Sequence, residues 1–150
     1  MQIPWEIRLS LRRGTVYYMA ERTLTSAEPH YFIVLNTDPI GDEVLLLVVA
    51  SSQVDSVKRR RAREPACTVV EIGEADYADF TRDSVVDCNN VFTKSLLEIC
   101  DQWQRKQILA KLDFPGDILD RLTHGALASR IVSEADKRKI RGQDTPDQTS

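Results

Sequence analysis

The chain has 150 residues, a net charge of −3 and 42% hydrophobic residues, which is the size and composition of one ordinary globular domain. No apolar run approaches the roughly 18 residues of a membrane-spanning helix, so no membrane segment is predicted. The N-terminus lacks the basic and apolar stretches of a secretory signal, which predicts a cytoplasmic protein. The three cysteines form no Cys-x-x-Cys pair. We therefore expect reduced, partly buried thiols, and neither a metal site nor a cofactor.

Charge is distributed unevenly along the chain. Residues 58–63 (KRRRAR) carry five positive charges, whereas residues 71–87 carry six carboxylates and one cation, Arg82. Such asymmetry can steer a charged partner. The basic run lacks the interleaved aromatic residues that stack on nucleic acid bases, so its simplest interpretation is a solvated loop. The carboxylates match no metal-binding loop and predict a solvated acidic edge.

Five short β-strands are predicted in the first two thirds of the chain. They are segments rich in β-branched and aromatic residues, separated by turn residues such as Gly14 and Pro39. The predicted strands are residues 15–19, 30–35, 43–50, 67–72 and 84–92. The second and third are apolar throughout, which predicts a sheet centre covered on both faces.

Helices are predicted in the last third of the chain. Ser95 followed by Glu98 forms a capping-box pattern at the start of one helix. The apolar residues of 117–128 repeat at helical spacing, which predicts a second helix. Residues 106–110 fit either a strand or a helical turn, and residues 133–141 fit a basic helix with little apolar surface.

Strands followed by helices indicate an α+β domain. We predict a small twisted antiparallel sheet or SH3-like half-barrel, with the C-terminal helices packed on it. This domain is expected to span residues 1–130. Residues 131–150 are expected to add the basic helix and a polar tail, which has no apolar side chain from residue 142 onward and is predicted to be disordered.

The order of these segments resembles that of the MazF/PemK toxin family. The match runs from about residue 13 to residue 128, and it includes the closing helix at residues 117–128. The motifs that carry it are Gly14-Thr15-Val16-Tyr17-Tyr18, Ser51-Ser52-Gln53, Val70-Glu71-Ile72, Arg82-Asp83-Ser84-Val85 and Asn89-Asn90-Val91-Phe92-Thr93. The chain departs from the family at four positions. The key arginine and the proline after it are matched by His30 and Tyr31, the catalytic threonine by Ser51, and a fifth-strand arginine by Phe92.

The resemblance implies a toxin of a toxin–antitoxin pair, acting as a metal-independent endoribonuclease on single-stranded RNA. It implies as partners RNA, a cognate antitoxin protein and a second copy of the chain in a homodimer. Such cleavage uses the 2′-hydroxyl of RNA as the nucleophile, and it needs a base, an acid and a donor to the charged phosphorane.

His30 is the candidate base or acid, because histidine exchanges protons near neutral pH. Ser51 is the candidate donor to a phosphate oxygen, as the family threonine would be. Neighbouring polar and basic residues are the candidate RNA contacts, since phosphates attract such groups. These are Ser52, Gln53, Lys58, Arg59, Arg60 and Arg61.

Other interpretations stay open at this point. A histidine at the start of a strand is often a hydrogen-bonded structural residue, and a Ser-Ser-Gln triplet at a strand end is often only a turn. Replacement of the family arginine also fits a protein that acts by binding. Such a protein would be a gyrase inhibitor like CcdB, which shares the architecture, or a regulator that binds RNA or protein.

Overall fold

The computed structural model describes residues 2–21, 24 and 28–142. Within them, seven strands form one antiparallel sheet flanked by helices, which confirms the predicted α+β class. The strands are β1 (Val16–Met19), β2 (His30–Val34), β3 (Val44–Ser51), β4 (Val69–Ile72), β5 (Ser84–Asp87), β6 (Phe92–Ser95) and β7 (Leu109–Lys111). The helices are α1 (Trp5–Ser10), α2 (Pro39–Asp42), α3 (Val54–Arg60), α4 (Leu96–Gln104), α5 (Gly116–Ala128) and α6 (Glu134–Arg141). None of these helices has the length and apolar composition of a membrane span.

The long strand β3 organises the sheet, whose order is β4-β5-β3-β2-β1-β7. One edge of β3 pairs with β2, and its other edge pairs first with β6 and then, at its last two residues, with β5. The prediction of one strand over residues 84–92 is wrong. A turn in which the Asn90 N–H donates to the Asp87 carbonyl oxygen at 3.1 Å separates β5 from β6.

The sheet is covered on both faces, as the apolar sequences of β2 and β3 predict. Alternate side chains of a strand point to opposite faces, and here both sets are buried. One face packs against α5 and α6, with Ile33, Leu46, Val48, Leu122 and Ile140 in its core. The other face packs against α1 and α4, with Phe32, Leu45, Leu47, Ile7 and Ile99 in its core.

The helix α6 is more firmly attached than its sequence suggests. Ile140 is fully buried in the core that α5 shares with the sheet. Ser133 caps the helix by accepting the N–H of Asp136 at 3.1 Å, and Gly142 ends it in the left-handed conformation. One buried residue therefore joins the basic helix to the domain. The predicted polar tail lies, from residue 143 onward, outside the described residues.

The first half of the basic run, residues 58–60, is the end of α3, so its interpretation as a loop is wrong there; residues 61–63 form the turn that follows the helix. Lys58 and Arg60 lie in the last turn of α3, where the helix dipole favours cations. Val57 anchors α3 and is 4% exposed. A helix of seven residues with so few apolar positions gives no readable periodicity. The short helix α1 escapes sequence prediction because its six residues make fewer than two turns, too few to show a helical repeat.

Gly125 marks a close approach of α5 to the sheet. A Cβ there would lie 2.6 Å from the carbonyl oxygen of Cys67 and 3.1 Å from the Sγ of Cys88. Gly125→Ala should therefore lower the free energy of unfolding by about 1–3 kcal/mol, although alanine is the better helix former. Urea unfolding measures this. Gly116→Ala is the control, because a Cβ there meets nothing within 4 Å; equal stability of the two variants would contradict the close packing.

Candidate functional site

One end of the sheet opens into a cleft of about 730 Å³. The strand register pairs Tyr31 of β2 with Ala50 of β3, and Ser51 of β3 with Val85 of β5. The start of β2, the end of β3 and the start of β5 therefore meet at this end. Antiparallel pairing thus brings residues from three distant parts of the sequence to one place.

The cleft contains most of the predicted site residues. Those that line it are His30, Ser51, Ser52, Gln53 and Arg60. Three others, Lys58, Arg59 and Arg61, do not. The helical repeat explains the division, because the N-cap residue 53 and residues 56 and 60 of α3 share one face, whereas residues 58 and 59 do not.

The basic residues outside the cleft have other surroundings. Lys58 pairs with Glu71 at 3.1 Å, and the Nε of Arg61 donates to Asp87 at 2.8 Å. Arg59 is exposed. Of the predicted basic run, Arg60 alone among the described residues contributes charge to the cleft wall.

His30 begins β2 and is half-buried. Its Nδ1 is buried and has no hydrogen-bond partner in the part of the chain that the structure describes. In the β2–β3 pairing Tyr31 lies opposite Ala50, so the next residue of each strand places His30 beside Ser51. Buried polar atoms without a partner are rare in folded proteins, and strain, a bound water or ion, or a catalytic role can each explain one. At its Nδ1, His30 therefore makes no structural hydrogen bond within the described residues.

Ser51 ends β3 in a turn, and within the described residues its hydroxyl proton has no acceptor. Its Oγ accepts the backbone N–H of Gln53 at 3.0 Å. A hydroxyl has one proton to donate besides its two acceptor positions. Ser51 can therefore hold the turn and still donate a hydrogen bond to a phosphate oxygen.

Two exposed arginines supply positive charge to the cleft wall, Arg60 and Arg82. Arg60 lies 3.7 Å from the Oδ2 of Asp87. Arg82 precedes β5. Sequence reasoning missed Arg82 as a site residue, although a lone cation within an acidic stretch is a signal that could have found it. Guanidinium groups bind phosphate oxygens through paired N–H donors.

Asp87 lines the cleft, but its carboxylate is already occupied. It is 8% exposed. Its Oδ2 accepts from the Nε of Arg61 at 2.8 Å, and its Oδ1 accepts the backbone and side-chain N–H groups of Asn89 at 3.1 and 3.0 Å. Asn89 accepts in turn from the Oγ of Ser129 at 2.7 Å. Asp87 therefore anchors the end of α3 and is not a free base, and the prediction of a solvated acidic edge is wrong at this residue.

Aromatic rings also line the cleft, which sequence reasoning missed. They belong to Tyr18, Tyr31 and Phe80. The ring centroids of Tyr18 and Tyr31 are 4.7 Å apart, and those of Tyr31 and Phe80 are 5.3 Å apart. Burial, and then the proximity of Asp79 and Tyr18, raises the pKa of Tyr31, so its phenol stays protonated at neutral pH. The pairing of Tyr18 with Tyr31 across β1 and β2 creates this surface.

The described residues include no group of three or more histidine, cysteine or acidic side chains that could hold a metal ion. Cys88 and Cys100 are buried and Cys67 is exposed, all three as free thiols. Burial raises the pKa of Cys88, which keeps this thiol protonated and unreactive.

The chain is a small α+β protein with a polar cleft. The arginine and tyrosine side chains of this cleft suit a ligand that is both anionic and aromatic. No family model matches the sequence, and a comparison with curated proteins finds no match. The function is therefore argued from the cleft itself.

Proposed function

We propose that the protein is a metal-independent endoribonuclease that cleaves single-stranded RNA. The observation that carries this proposal is the convergence of His30, Ser51, Arg60 and Arg82 in a cleft with half-exposed tyrosine rings. RNA combines a phosphodiester, which serine and arginine bind, with flat bases, which stack on aromatic side chains. The resemblance of the segment order to the MazF/PemK family supports the same conclusion. Part of the proposal rests on the sequence alone. This part comprises the toxin role, the antitoxin partner, the homodimer and the cytoplasmic location.

The proposed reaction is an internal ester exchange on the RNA. His30 takes the proton of a 2′-hydroxyl, the 2′-oxygen attacks the adjacent phosphorus, and the bond from phosphorus to the 5′-oxygen breaks. The products are a 2′,3′-cyclic phosphate and a 5′-hydroxyl, whose oxygen takes a proton from solvent. Ser51 donates to a phosphate oxygen, and Arg60 and Arg82 stabilise the negative charge that develops.

A second candidate function is binding without cleavage, as a gyrase-type inhibitor or as a regulator that binds RNA or protein. One observation favours it. The tautomer and orientation of a catalytic histidine are usually fixed by an acceptor at one ring nitrogen, and the Nδ1 of His30 has no such partner among the described residues. Cleavage of RNA by the purified protein separates the two functions.

Arg60→Gln should slow RNA cleavage by about 10- to 100-fold, because it removes a charge-assisted donor from the cleft. The measurement is the initial rate of cleavage of a labelled RNA in buffer containing EDTA. Arg59→Gln is the matched control, since both residues are exposed arginines of α3 and each substitution removes one charge. It should stay within about twofold of the wild type, as surface substitutions usually do.

Two results would count against the proposal. Equal losses of cleavage rate in the two variants would mean that nonspecific electrostatic attraction, and not the cleft, brings the RNA to the protein. An absence of cleavage by the wild type on RNA of mixed sequence would overturn the nuclease function and leave the binding function.

A further inference from the structure

The cleft contains a rigid aromatic surface in addition to its phosphate-binding groups. Tyr18 and Tyr31 lie side by side and stay half-exposed. Phe80 and Tyr77 contact the Tyr31 ring edge-on, with centroids at 5.3 and 6.2 Å. Tyr77 is itself fixed, because its hydroxyl donates to the carbonyl oxygen of Leu112 at 2.5 Å. A surface held in this way loses little conformational freedom when a flat ligand stacks on it.

A carboxylate lies next to this surface. Asp79 lines the same cleft and is half-buried, and its charge contributes to raising the pKa of Tyr31. Asp87 is occupied by Arg61 and Asn89. For Asp79, by contrast, no hydrogen bond or ion pair is found within the described ranges, so its oxygens can accept from a ligand.

The chemistry of Asp79 restricts what can bind beside it. A carboxylate repels phosphate, so the RNA backbone is expected nearer to Arg60 and Ser51. An ionised carboxylate accepts two parallel hydrogen bonds. Guanine presents two adjacent donors on its Watson–Crick edge, its N1–H and its 2-amino group. Uracil presents one donor between two carbonyl oxygens, which a carboxylate repels.

We propose that Tyr31, Tyr18 and Asp79 form a base-specific subsite that stacks a guanine and reads its Watson–Crick edge. The guanine would share the cleft with the phosphate held by Ser51 and Arg60, because all these residues line it. This inference rests on the proposed function, since it takes RNA as the ligand. It adds a preference for sequence, which the phosphate-binding residues cannot supply.

Binding of RNA that cannot be cleaved tests the subsite separately from cleavage. The probes are fluorescein-labelled pentanucleotides, 2′-O-methylated throughout, of sequence UUGUU, UUAUU, UUCUU and UUUUU, followed by fluorescence anisotropy. The wild type should bind UUGUU on the order of tenfold more tightly than UUUUU, as one bidentate contact implies. Asp79→Asn should lose this preference, because an amide offers one acceptor and turns a donor toward the base.

Variants of the aromatic surface complete the test. Tyr31→Leu should weaken binding of all four probes by about tenfold, as loss of one stacked base implies, whereas Tyr31→Phe keeps the ring and should bind nearly as the wild type does. Trp5→Leu is the control, because Trp5 is 67% exposed and does not line the cleft. Thermal unfolding of each variant identifies any loss of fold.

The outcomes separate this inference from the proposed function. A wild type that cleaves RNA but binds the four probes equally, or an Asp79→Asn variant that keeps the guanine preference, would overturn the subsite and leave the nuclease intact. A wild type that neither binds the probes nor cleaves RNA would overturn both.

Discussion

His30→Ala should slow RNA cleavage by about 100-fold or more, because loss of a general base typically costs 10²- to 10⁴-fold. The fold should survive the change. The ring is half-buried and its Nδ1 has no partner among the described residues, so we expect the free energy of unfolding to change by less than about 1 kcal/mol. Single-turnover cleavage in EDTA and urea unfolding, measured on the same preparation, check the two expectations together.

His124→Ala is the control for this substitution. His124 is exposed on α5 and does not line the cleft, so its loss should leave the rate within about twofold. The pH dependence adds a second readout, because the variant without the base should lose one limb of the pH–rate profile. A His30→Ala variant that cleaves at the wild-type rate would remove His30 from the mechanism.

Asp87→Asn should lower the free energy of unfolding by about 2–3 kcal/mol, because it leaves the Arg61 guanidinium without its charged partner. Arg61 is 22% exposed and Asp87 is 8% exposed, so solvent replaces little of the lost interaction. The new amide group has one acceptor oxygen, so its NH2 would face either the Arg61 guanidinium or the N–H groups of Asn89. Urea unfolding followed by circular dichroism measures the loss.

Asp101→Asn is the matched control for Asp87→Asn. Asp101 pairs with Arg105 at 3.1 Å, but both side chains are more than half exposed. Exposed pairs contribute about 0.3–0.5 kcal/mol, so this variant should stay near the wild type. Comparable losses in the two variants would contradict the view that Asp87 anchors the end of α3.

The centre of the sheet could be predicted from the sequence because its signal is local. The strands β2 and β3 are continuous apolar runs between turn residues, and the observed bounds differ from the predicted ones by one residue. The capping box is local too: Ser95 accepts the N–H of Glu98 at 3.0 Å. The division of residues 84–92 into β5 and β6 has a weak local signal in the pair Asn89-Asn90, but which part of β3 each strand meets follows only from tertiary structure.

The candidate site was predictable where it coincides with strand ends. His30 and Ser51 begin and end adjacent strands, so a strand assignment alone brings them together. Lys58 and Arg61 were assigned to RNA, but Glu71 and Asp87, which pair with them, lie more than ten residues away and their proximity follows from tertiary structure. The tyrosine pair depends on the β1–β2 register, which decides that Tyr18 and Tyr31 are opposite each other.

The end groups of cleaved RNA test the central claim most directly. A labelled single-stranded RNA is incubated with the protein in EDTA, and the termini of the fragments are identified by mass spectrometry. The proposed reaction predicts a 2′,3′-cyclic phosphate and a 5′-hydroxyl, and no cleavage at a linkage whose 2′-hydroxyl is replaced by hydrogen. Fragments with 5′-phosphates, or cleavage at the 2′-deoxy linkage, would contradict a mechanism in which His30 activates the 2′-hydroxyl.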